Sequence, residues 1–120
     1  MNTQQAFDIM VQHLRQQGRP SRYDATGCRY RGPDGTKCAV GALIPDSLYR
    51  SGMEGLTIKS LVIEDRDVYG ELCNLLDSID LQLLEEMQTI HDHHTPANWE
   101  RSFKECAEEF GLNYTAPQGA

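Results

Sequence analysis

Between Pro96 and Gly111, Trp99, Phe103, Cys106, Ala107 and Phe110 recur at offsets of 4, 7, 8 and 11 residues from the tryptophan. That spacing makes one stripe of an α-helix, because side chains three and four apart share a face. Thr95 stands where an N-cap belongs and Pro96 at the first helical position, where a missing N–H is harmless. Gly111 follows as the stop. A helix with so complete a stripe must bury it, so the fold needs partners for this element before anything else.

Three further stretches supply them. Phe7, Met10, Val11 and Leu14 predict a helix from a Thr3 cap to about Gln17, stopped by Gly18. Val68, Leu72, Leu75, Leu76 and Ile79 predict another from Asp65 to about Ile79, with Cys73 beside its apolar face. Leu83, Leu84, Met87 and Ile90 predict a third, from Asp80 or Leu81 to about His91. The stretch CRYRGPDGTKCAV from Cys28 to Val40 has different punctuation. Its first residues alternate, Gly32-Pro33-Asp34-Gly35 is turn chemistry, and Thr36 to Val40 can return as a second strand. In that hairpin Arg31 would pair with Thr36 and Tyr30 with Lys37, leaving Cys28 diagonal to Cys38. Residues 41–62 read as a short apolar turn stopped by Pro45 and then an irregular, glycine-broken segment. The expected class is α+β, with about four helices packed with one small antiparallel β-hairpin in a single domain over residues 1–112 and a polar tail over 113–120.

Composition fits that size of core. With 120 residues, 39% hydrophobic and 24% charged, the chain can bury a core without metals or disulfides and is not disordered throughout. No apolar run approaches bilayer length and the start of the chain is polar and periodic, which predicts a soluble, cytoplasmic protein with no membrane association. The four cysteines are then expected as free thiols. Net charge is −7, with seven Lys/Arg against five Asp/Glu in residues 1–55 and four against thirteen in residues 56–120. An acidic C-terminal half repels nucleic acid and attracts basic protein surfaces.

Candidate chemistry gathers at the cysteines and histidines. Cys28 and Cys38, with His91 and either His93 or His94, could form a two-cysteine, two-histidine zinc site or a thiol–imidazole pair. The spacing lacks the short knuckles of a zinc site, and Cys73 and Cys106 fit helix packing. The HDHH run, His91 to His94, equally suits the negative end of a helix dipole, and four consecutive residues cannot all face one point. RGPDGTK is not the phosphate loop pattern, since no G-x4-G-K-[ST] opens a helix there. Arg29, Arg31 and Lys37 on the hairpin form a small basic face suited to a local anion and too small for DNA binding. The expectation is therefore no cofactor, with zinc as the alternative.

The stretches YRGPDGTKCAVGALIPD (Tyr30 to Asp46), MEG (Met53 to Gly55), MQTIHDHHTPANW (Met87 to Trp99) and AEEFGL resemble a family of small uncharacterised proteins of bacteriophage and proteobacterial genomes. The resemblance spans most of the chain and implies a setting, that of a phage or prophage accessory protein, without catalytic positions to transfer. Size, acidity and setting together predict a counter-defence inhibitor of the anti-CRISPR kind. It would occupy a basic, nucleic-acid-binding surface of a host complex through Glu64, Asp65, Asp67, Glu71, Glu85 and Glu86. The alternative is a small metal- or thiol-dependent enzyme or ligand-binding protein.

Overall fold

The first helix, α1, spans Thr3–Gln17, and its start is fixed by a reciprocal cap. Asn2 Oδ1 accepts the Gln5 N–H and Gln5 Oε1 accepts the Asn2 N–H, both at 2.8 Å. The cap thus sits one residue before the expected Thr3, whose hydroxyl instead accepts the Asp80 N–H at 3.0 Å. Phe7, Met10, Val11 and Leu14 face the core as expected, and Gly18 ends the helix at φ 71°. The computed structural model describes residues 1–22 and 29–117 of the chain.

The expected β-hairpin does not form, and the α+β class is replaced by a mainly helical one, with no strand or sheet among the described residues. What remains of the hairpin is one antiparallel bridge, between Arg31 and Lys37, one residue away from the expected register. Gly32 N–H donates to the Thr36 carbonyl at 2.8 Å, around a turn in which Asp34 (φ 58°) and Gly35 (φ 74°) are left-handed. Past Cys38 the chain coils into a 3-10 turn, Val40–Leu43, instead of returning as a strand. Gly41 is the reason the coil can sit there, since a Cβ at that position would lie 2.1 Å from the Tyr30 carbonyl oxygen. The expected diagonal of Cys28 with Cys38 lies outside the described residues.

A second difference concerns the middle of the chain. The helix expected from Asp65 to Ile79 is shorter: α2 spans Gly70–Leu76, preceded by a π-helical turn at Ser60–Glu64 and an irregular turn. The Asp65 N–H reaches back five residues to the Ser60 carbonyl at 2.7 Å, which shifts the helical phase. Val68 lies in that irregular turn, outside α2, and points outward, 70% exposed, while Leu72, Cys73, Leu76 and Ile79 are buried.

The last two helices follow their sequence pattern closely. Asp80 caps α3, Leu81–His93, by accepting the Gln82 N–H at 2.9 Å. Pro96–Asn98 forms a 3-10 turn that leads into α4, Trp99–Phe110, so the expected Thr95 cap and Pro96 first position belong to that turn and Asn98 precedes the helix itself, while Gly111 closes α4 at φ 67°. Leu83, Leu84, Met87 and Ile90 of α3 and Trp99, Phe103, Cys106 and Ala107 of α4 are all buried in one core. Each large side chain buried there contributes about 2 kcal/mol. The polar tail expected over 113–120 is held as far as Thr115, where the Asn113 N–H donates to Gln4 Oε1 and Arg15 Nη2 to the Thr115 carbonyl.

Candidate functional site

Because α3 packs one face inward, its opposite face is free to line something else. Glu85, Gln88, Thr89, Asp92 and His93 share that face and form one wall of a cleft of about 670 Å³. Gly55, Leu56, Thr57, Ile58 and Lys59 form the facing rim, and Arg22, Arg29, Tyr30 and Cys38 complete the lining. That volume is in the range of small-molecule sites.

The rim is positioned by Glu54. One carboxylate oxygen accepts the Tyr30 N–H at 2.9 Å, and the other accepts the Arg31 N–H at 3.1 Å and the Tyr49 hydroxyl at 2.6 Å. Tyr30 closes the loop from the other side by donating its hydroxyl to the Leu56 carbonyl at 2.5 Å. Burial, reinforced by the Cys38 thiol and the Glu54 carboxylate, pushes the Tyr30 phenol far above its usual range and keeps it a neutral donor.

The α3 wall is positioned by His91, which is fully buried. The Ser21 N–H donates to His91 Nε2 at 2.8 Å, so Nε2 carries the lone pair and Nδ1 the proton. That proton goes to Asp92 Oδ1 at 2.8 Å, and Gln88 Nε2 donates to the same oxygen at 2.8 Å. Trp99 stacks on the imidazole with ring centroids 6.2 Å apart. This is the arrangement of a general base and its orienting carboxylate, except that the basic nitrogen is spent on a backbone amide. The unit holds a loop to a helix, and presents no imidazole lone pair to the cleft.

Of the cysteine and histidine candidates, Cys38 and His93 line the same cleft, while His91 and His94 are engaged elsewhere. Cys38 is wholly buried on the cleft floor, its sulfur accepting the Gly41 N–H at 3.2 Å, and burial pushes its thiol far above the usual range. A thiol so placed is no thiolate nucleophile at neutral pH. Cys106 is likewise pushed up to about 12 by burial, and Cys73 is raised for the same reason. His94 turns away to Ser102 on α4, with Nδ1 2.6 Å from the hydroxyl, while His93 lines the cleft. Cys28 lies outside the described residues. Among the described residues no three His, Cys, Asp or Glu side chains are placed to share a metal ion.

The basic face expected on the hairpin is also dispersed. Arg29 lines the cleft, but Arg31 pairs with Asp46 at 2.6 Å and lies over the Tyr49 ring at 4.4 Å, and Lys37 borders a separate hollow beside α1. Of the acidic candidates, Glu64, Asp67 and Glu71 are exposed, Asp65 and Glu86 are half-buried, and Glu85 belongs to the cleft wall. Lys59 and Glu54 were not legible as site residues. Glu54 lies within the MEG stretch, and the five-residue set on α3 is complementary to its core stripe, which was the available signal. The chain matches no protein-family model, no curated protein and no solved structure.

Proposed function

We propose that the protein acts by binding another protein, laying its acidic stretch from Glu64 to Glu71 on a basic, nucleic-acid-holding surface of a host complex and blocking it. The setting is that of a phage or prophage accessory protein in the cytoplasm of a bacterial host, and the role is counter-defence inhibition. The observation that carries this reading is the company the acids keep. Ile63, 53% exposed, and Val68, 70% exposed, bracket Glu64, Asp65 and Asp67. Apolar anchors within a charged rim are the make-up of a protein interface. The one cation within the stretch, Arg66, is drawn off by both carboxylate oxygens of Asp77, at 3.0 and 2.5 Å, so the outward charge is acidic. Such a surface gains association rate and selectivity for a basic partner.

The experiment is phage plating on a strain with active RNA-guided immunity, with this protein supplied from a plasmid. Plating is expected to rise, and the rise is expected to vanish for the charge reversal Glu64→Lys with Asp67→Lys and Glu71→Lys. No rise with the unaltered protein overturns the counter-defence reading. A rise that survives the reversal, in a variant that melts normally, overturns the acidic face.

A further inference from the structure

The cleft gathers charge against the balance of the chain. Among the described residues Arg22, Arg29 and Lys59 line it together with Glu85 and Asp92, three cations to two acids in a protein whose net charge is −7, and Arg22 Nη2 donates to the Asp92 carbonyl at 2.7 Å. Cys38, fully buried, and Tyr30, 6% exposed, give it an apolar side together with Leu56 and Ile58. Much of the remaining polar lining is already committed to the protein itself. Gln88 bonds Asp92 and the Val40 N–H, Thr89 donates to the Glu85 carbonyl, and Thr57 caps the turn at Ser60.

A ligand matching this lining needs three parts. It needs an anionic group for the cations, donors for the carboxylates, and a flat or apolar body for the apolar side. Guanidinium groups and an ammonium suit a phosphate, which offers several acceptor oxygens and up to two negative charges. Carboxylates in the same cavity would repel a bare anion and accept from hydroxyl or amino groups. We propose that the cleft binds a phosphate monoester with a donor-bearing body, a nucleotide or a sugar phosphate. Its phosphate lies toward Arg22 and Lys59 and its hydroxyl or amino donors toward Glu85. The proposal is independent of the acidic docking stretch, since none of its residues lies between Glu64 and Glu71.

Calorimetric titration with four probes tests it: adenosine 5′-monophosphate and glucose 6-phosphate as the two sources of this chemistry, with inorganic phosphate and adenosine as its separate halves. At least one phosphate ester is expected to bind more tightly than either half, and to weaken as salt is raised. Arg22→Ala and Lys59→Ala are each expected to weaken it at least about tenfold, the loss of one charge-assisted hydrogen bond. Both side chains are on exposed positions, so unchanged melting of the variants is the expected check on folding. Absence of binding by both esters overturns the proposal. Equal binding of inorganic phosphate shows a charge patch only, and undiminished binding by both variants places the ligand elsewhere.

Discussion

The α3–α4 pair and the loop region from Arg29 to Leu56 are buried to similar depth and held in different ways. The helices satisfy their own backbone and meet through Leu83, Met87, Ile90, Trp99 and Phe103, so apolar area is their cohesion. The loop region has one bridge in place of a ladder, its turns close on their own backbone, and several of the remaining amides are met by single side chains from other parts of the chain. Glu54 takes the N–H groups of Tyr30 and Arg31, Gln17 takes that of Lys37 at 2.7 Å, and His91 does the same for Ser21 in the loop after α1. Tyr30 returns a hydrogen bond to Leu56. The comparison shows how a chain can keep a buried loop without a sheet. Each unpaired amide has one assigned acceptor, and each acceptor is a point where the arrangement can fail.

The two kinds of cohesion should break differently. Phe103→Ala, at a fully buried position, is expected to cost about 4 kcal/mol in chemical unfolding, through lost transfer energy and the cavity left behind. A loss below about 1 kcal/mol would mean that the α3–α4 core is not the main apolar support of the fold. Glu54→Gln preserves shape and removes one acceptor, so it is expected to cost about 2 kcal/mol. Amide exchange sharpens the contrast. The Tyr30 and Arg31 amides should lose protection in this variant while the α4 amides keep theirs, and uniform loss would show that loop and helices form one cooperative unit.

The smallest effect belongs to the ion pair that joins α1 to α4. Arg15 donates to both oxygens of Glu100, at 2.8 and 2.7 Å, and this bonding holds the Glu100 carboxyl below its usual range, with a smaller contribution from Tyr114. A carboxyl lowered in the folded state adds stability that is complete above its unfolded value and fades as pH falls through the folded one. Glu100→Gln should therefore be less stable than the parent protein at pH 7, and the gap should close below about pH 4. A gap that does not change with pH would assign the role of Glu100 to shape instead of charge.

Most of the helical frame was legible in the sequence. The α3 and α4 stripes name their own core, and α1 needed only the move of its cap from Thr3 to Asn2, which Gln5 makes reciprocal. The hairpin was misread because turn residues and alternation are local signals, whereas the strand needed a neighbour that the chain does not provide. Val68 was misplaced because periodicity assumes an unbroken helix, and residues 65–69 form an irregular turn ahead of α2. The cleft was harder still. Its cations come from the loop after α1, the remnant of the hairpin and the rim at Lys59, and only long-range packing brings those three segments together.

Gln4 and Asn113 are joined by a pair of hydrogen bonds that spans 109 positions of sequence, at 2.8 and 3.1 Å. A ribosome delivers the first of these residues long before the second, so that clasp can close only once the whole span between them has been made. Until then α1 stands without its tie to the C-terminal segment.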